Sequence, residues 1–93
     1  MNNSANEFSR RVTITNELGL HARSAAKIAK LAQNGKSNVW IIKDGKKADA
    51  SSIIDILTLI CQKGSIITLK IDDQSDLGIL NDLVQLVESG FGE

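Results

Sequence analysis

His21, the only histidine in the 93-residue chain, stands in the run Gly19-Leu20-His21-Ala22-Arg23-Ser24, directly ahead of a stretch with helical spacing. A neutral imidazole is a nucleophile that titrates near physiological pH, and once phosphorylated it becomes a good leaving group. The first turn of a helix offers N–H groups without intrahelical partners and the positive end of the macrodipole, a natural seat for an anion. The backbone N–H groups of Ala22, Arg23 and Ser24 would form such a seat, and the planar fork of Arg23 suits phosphate oxygens. A reversible phosphoryl acceptor is the chemistry these residues suggest. A plainer reading makes Asn16 the helix cap, His21 an ordinary first-turn residue and Arg23 a solvated charge. Against it, Gly19 would then sit inside the first turn at a cost in propensity, whereas Leu20 fits the apolar position before a cap at His21.

The elements that must position this run follow from periodicity. Arg10 to Thr15 alternates as a half-buried strand with Val12 and Ile14 inward. Ala22 to Ala32 places Ala22, Ala25, Ile28, Ala29 and Ala32 on one helical face, and small alanines imply close packing on a sheet. Gly35 is expected to close that helix as a left-handed cap. Asn38 to Lys43 reads as a strand joined through the tight turn Asp44-Gly45 to Lys46–Asp49. Ser51-Ser52 offers an N-cap for a short helix reaching about Ile60. Ser65 to Ile71 alternates again with Ile67, Leu69 and Ile71 inward, and Ser75 to Ser89 has helical spacing closed by Gly90. The order strand, helix, strand, strand, helix, strand, helix suits an α+β fold with one antiparallel sheet covered on one face by helices.

Size and composition bound what such a fold can do. A chain of 93 residues makes one domain, burying only roughly 60–65% of its unfolded surface. The expected division is a flexible tail over residues 1–9 and a single domain over 10–93. Eleven basic and eleven acidic side chains cancel, which argues against a nucleic-acid partner. The longest apolar run, Ile53 to Cys61, is short and interrupted by Asp55 and Thr58, so membrane insertion is not expected. Cys61 lies in that run and reads as a buried, inert thiol suited to the reducing cytoplasm. No cofactor and no metal site is expected.

Trp40, Ile42 and Ile66 alternate away from the inward residues and would face solvent. Shielding by lysine stems or by the tail around Phe8 accounts for them, and weak self-association of an otherwise monomeric protein through Trp40 and Ile42 is the alternative.

Taken together, Val12-Thr13-Ile14, Gly19-Leu20-His21-Ala22-Arg23, the Asp44-Gly45-Lys46 turn, Ser52 before an apolar helix, Thr58-Leu59, Gly64 before Ile67-Thr68-Leu69 and the tail Gly90-Phe91-Gly92-Glu93 resemble HPr. That family comprises the histidine-containing phosphocarriers of the phosphoenolpyruvate-dependent sugar phosphotransferase system. The resemblance implies an HPr-like open-faced β-sandwich, four antiparallel strands with three helices on one face, in the order β-α-β-β-α-β-α. It further implies a stoichiometric carrier rather than an enzyme. His21 would take a phosphoryl group at Nδ1 from enzyme I and pass it to an EIIA-type protein in sugar uptake or a regulatory relay, with Arg23 holding the phosphate. Ser52 would correspond to the regulatory serine modified by an HPr kinase/phosphorylase, and Leu20, Ser24, Ile53, Ile54 and Leu57 would form the partner interface.

Each implied role has a structural alternative. Ser52 can serve only as a helix cap, and at least one of Ile53, Ile54 and Leu57 must be buried at helical spacing. A regulatory interaction module controlled by phosphorylation at Ser52 is the rival to the carrier. The chain departs from the family pattern at Ser24, where proline is usual, at Ser51, at Asp55, which would put negative charge on the partner face, and at Ile60-Cys61 in place of a glycine-containing stretch.

Overall fold

A computed structural model describes residues 8–93 of the chain. Its strands and helices are β1 (Ser9–Thr13), α1 (Ala22–Ala32), β2 (Val39–Lys43), β3 (Lys46–Asp49), α2 (Ile53–Leu57), β4 (Ile66–Ile71) and α3 (Leu77–Glu88), with short 3-10 turns at Gln74–Asp76 and Gly90–Gly92. The strands form one antiparallel sheet in the order β1-β4-β2-β3. Alternation turns Val12, Val39, Ile41, Ala48, Ile67, Leu69 and Ile71 to one face, where they join Ala25, Ile28, Ile56, Leu80, Leu83 and Val87 from the helices in a single buried core. Three helices over one face of four strands make an open-faced α+β sandwich.

Ile41 of β2 pairs with both Leu69 and Ala48, so the centre of the sheet is apolar on its inner side. Asp44 and Gly45 both take positive φ, 51° and 80°, the geometry a two-residue hairpin of the right twist demands. Ser52 caps α2, its side chain accepting from the Asp55 N–H.

Several expectations are corrected. The domain starts earlier than residue 10: Ser9 belongs to β1, and Phe8 packs on the core while its carbonyl accepts the Ile71 N–H. The remainder of the expected tail, residues 1–7, lies outside the described residues. Gly35 is not a left-handed cap, since α1 closes through right-handed Gln33 and the Gly35 N–H returns to the Ala32 carbonyl. Space is what Gly35 supplies, because a Cβ there would meet the Ser37 carbonyl at 3.0 Å. Ala22 is exposed rather than on the inner face of α1, and buried Ser24 joins that face instead. Helix α2 stops at Leu57 because Ile60 turns to φ +52°.

On the outer face, Lys47 places its ammonium 4.1 Å from the Trp40 ring centroid, and Trp40 Nε1 donates to Asp72. Lys47 therefore covers the Trp40 ring, while Phe8, expected as part of that shield, packs on the core side. Ile66 stays 51% exposed.

Candidate functional site

Gly19 fixes where the site lies. Its φ of +65° and the 2.3 Å that would separate an added Cβ from the Cys61 carbonyl leave no room for a side chain. The close approach lets the Leu20 N–H donate to that carbonyl at 2.8 Å, pinning the loop before α1 onto the segment after α2. Leu20 then turns into the core at 8% exposure, the apolar anchor that sets the entry angle of the helix.

His21 is the N-cap of α1, with extended backbone at φ −130° and ψ −176°. Its Nδ1 accepts the Arg23 N–H at 3.3 Å. Ser24 completes a reciprocal capping box: the His21 N–H donates to Ser24 Oγ at 2.9 Å, and that hydroxyl donates onward to the Gly19 carbonyl at 3.0 Å. A fully buried serine thus ties loop, cap and first turn together. Proline could fix the backbone there but could not make these bonds.

Because Nδ1 accepts, Nε2 carries the ring hydrogen and donates to Glu93 Oε2 at 3.0 Å. The other carboxylate oxygen accepts from Asn16 Nδ2 at 3.1 Å, and the same amide group holds the Gly19 carbonyl at 2.8 Å. These bonds from Asn16 first and His21 second hold the Glu93 carboxyl below its ordinary value. Glu93 is delivered by the tail after α3, where Phe91 is 1% exposed and its carbonyl accepts from Lys27 Nζ at 2.6 Å. Asn16 caps nothing; it buttresses the loop, and its buried Oδ1 finds no partner among the described residues.

Leu18, His21, Ala22, Arg23 and Glu93 line an open cleft of about 500 Å³. No acidic side chain sits in the first turn of α1, so the positive end of the helix is not offset from within the helix, and the one carboxylate lining the cleft, Glu93, lies on Nε2. Nδ1 lies at that end and Nε2 is covered by a carboxylate, so the ring turns its one lone pair, bonded to the Arg23 N–H, to the side where an anion is favoured. Among the described residues, no cluster of histidine, cysteine and carboxylate side chains could hold a metal ion.

The structure sorts the expected site residues. His21, Ala22 and Arg23 converge on the cleft. Leu20 and Ser24, expected at the partner interface, are corrected: both are buried, one as an apolar anchor and the other as a capping side chain. Ile53 and Ile54 are 39% and 79% exposed, whereas Leu57 packs partly against the core. Asp55 is half-buried, and its carboxylate turns back to accept the Asp49 N–H at 2.8 Å. Asn16, Leu18 and Glu93 belong to the site without having been picked out for it. For Glu93 the available signal was a phenylalanine between two glycines at the end of the chain, an apolar anchor amid tight turns.

This architecture superposes on the crystal structure of HPr-C-His from Thermoanaerobacter tengcongensis with a TM-score of 0.86 at 36% identity, covering 91% of this chain and 96% of that one. The fold and the capped histidine therefore define a small open-faced α+β sandwich of the phosphocarrier class. Residues 8–89 match the family described as the PTS HPr component phosphorylation site. The chain is 39% identical over 84 residues to phosphocarrier protein HPr of Cupriavidus necator, covering 90% of this chain and 94% of that protein. It is also 39% identical over 87 residues to phosphocarrier protein NPr of Shewanella violacea, covering 94% and 96%. The chain belongs to the HPr family of phosphotransferase-system phosphocarriers.

Proposed function

We propose that His21 is the phosphoryl acceptor of a relay in which enzyme I is the donor and an EIIA-type protein the recipient. The observation that carries this reading is the placement of Nδ1 at the N-terminus of α1, 3.3 Å from the Arg23 N–H. The Nδ1 lone pair, released from the Arg23 N–H, forms the new P–N bond as the donor's bond to phosphorus breaks, and the donor keeps the departing electron pair. Phosphoryl oxygens then take the backbone N–H groups of the first turn, with the Arg23 guanidinium alongside. The ring retains its Nε2 hydrogen and becomes cationic, a charge that the Glu93 carboxylate at 3.0 Å stabilises. Passing the group onward returns a neutral imidazole, so the protein is a carrier rather than a catalyst.

Cys61 is a free, buried thiol whose pKa burial pushes up, in keeping with a reducing cytoplasm. No helix among the described residues is long and apolar enough to cross a membrane, and the partners are taken to be proteins.

Incubation with phosphoenolpyruvate, magnesium and enzyme I should yield an acid-labile adduct of one phosphoryl mass on the wild type and none on His21→Ala. Absence of that adduct on the wild type with a cognate enzyme I would sink the reading.

Ser52 supports a second, compatible role as a regulatory acceptor. Its half-exposed hydroxyl caps α2, and Asp49 and Asp55 flank it. A phosphate there would add charge beside two carboxylates and take over the cap, altering the helix that displays Ile53 and Ile54. ATP with an HPr kinase/phosphorylase should then give an acid-stable adduct that Ser52→Ala lacks.

A further inference from the structure

Ile60 holds φ +52° while exposing 68% of its surface. The left-handed region is costly for any residue with a Cβ and most costly for a β-branched one, whereas glycine adopts it freely. The surrounding chain enforces the conformation: Leu59 and Cys61 on either side are buried, the Cys61 carbonyl accepts the Leu20 N–H, and Lys43 Nζ donates to the Ile60 carbonyl at 2.9 Å. The fold needs this turn but gains almost nothing from the isoleucine side chain, which points away from the core. Strain retained under such conditions is a signature of a surface with a task.

The turn at Ile60 is tied to the phosphoryl site through the backbone. Cys61, the next residue, is bonded to Leu20 directly before His21, and Leu18 lines the cleft itself. Leu18, Ile53, Ile54 and Ile60 make up four of the five large apolar side chains exposed among the described residues, the fifth being Ile66 of the sheet. All four lie in the loop before α1, in α2 or in the segment that follows it. We propose that Ile60 is a specificity-determining anchor for the phosphoryl-donor protein, inserting into an apolar, uncharged recess of that partner when it covers the cleft. The inference rests on His21 being the acceptor, since a donor reaching Nδ1 must lie over the surface bordering the cleft. Bulk at a strained position buys contact area that glycine could not supply, at the expense of the free protein's stability.

The test reads stability, expected to rise, and affinity for the donor, expected to fall. Ile60→Gly and Ile60→Asn should raise the melting temperature, by roughly 4 °C for a domain of this size. Both should raise the KM for phosphorylation by enzyme I about tenfold with kcat unchanged. Wild type labelled at His21, with unchanged KM in both variants, would overturn the anchor while leaving the carrier intact. Failure of wild type to be labelled would overturn the carrier and the anchor together. A concentration-dependent dimer of wild type, lost in both variants whose KM is unchanged, would assign Ile60 to a second copy of the chain and overturn the proposal.

Discussion

Glu93 Oε2 receives the Nε2 hydrogen of His21 across 3.0 Å, joining two residues 72 positions apart in the chain. The carboxylate sits on the ring nitrogen that does not face the helix N-terminus, so it sets the tautomer without occupying the anion seat. Its carboxyl is held below the ordinary value of 4.5, first by Asn16 and then by His21. A depressed folded-state pKa means that the contact contributes fully above the unfolded value and is lost as pH falls through the folded one. Following the Glu93 side-chain carbon by NMR should give a midpoint below 4.5, and a midpoint at or above that value would contradict the bonding described. Glu93→Gln keeps a hydrogen-bonding side chain but removes the charge that stabilises a cationic, phosphorylated ring. The equilibrium between phosphorylated and free protein at a fixed ratio of phosphoenolpyruvate to pyruvate should shift severalfold toward the free form, as read by intact mass.

Ser24 does through its hydroxyl what a rigid residue would do through its ring. Ser24→Ala leaves the His21 N–H without its side-chain acceptor and removes one of the two donors to the Gly19 carbonyl. The expected loss is about 1–2 kcal/mol, measured by urea denaturation at pH 7. Ser24→Pro loses the same hydroxyl but keeps a backbone suited to the first turn. It should be less stable than wild type yet still accept a phosphoryl group from enzyme I. Complete loss of labelling in both folded Ser24→Pro and Ser24→Ala would show that the hydroxyl takes part in the chemistry itself, whereas loss in Ser24→Pro alone would assign the need to the Ser24 N–H.

Much of this architecture is legible residue by residue, and the exceptions share a cause. Helix α1, the Asp44-Gly45 turn, the Ser52 cap and the inward faces of the strands depend on near neighbours, and periodicity or turn chemistry reveals them. His21 as the cap was legible from Gly19 and Leu20, though only as one of two readings. What stayed hidden depends on groups distant in sequence or on competition between them. Asp55 looks like an exposed charge until the backbone N–H of Asp49 claims it. Leu20 looks like an interface residue until the Cys61 carbonyl pins the loop and turns it inward. Gly35 looks like a left-handed cap, yet the constraint there is space beside Ser37 and Asp76. Glu93 has only the Gly90-Phe91-Gly92 anchor ahead of it as a local signal, because its own role exists only after the tail has docked.

Ser52 can be separated from the acceptor chemistry by its effect on stability. Its Oγ accepts the Asp55 N–H at 3.2 Å, one cap bond on a helix of five residues. Ser52→Ala should cost about 1 kcal/mol and leave labelling of His21 by enzyme I unchanged at saturating donor. A fall in kcat for that labelling would mean that α2 governs the chemical step and not only the surface beside it.

Phe91 tests whether the tail acts through Glu93 or merely through packing. It is 1% exposed and holds φ +61°, so burial of the ring sustains a backbone conformation that is otherwise costly. Phe91→Ala should cost about 3–5 kcal/mol, visible as a lowered urea midpoint, and should free Glu93 from His21. If the tail serves the site through that contact, Phe91→Ala at a temperature where it remains folded should shift the phosphorylation equilibrium as far as Glu93→Gln does. The double variant should then shift it no further, since both changes remove one interaction. Additive shifts would instead mean that Phe91 supports the cleft independently, through Lys27 at its carbonyl and the packing of α1 against α3.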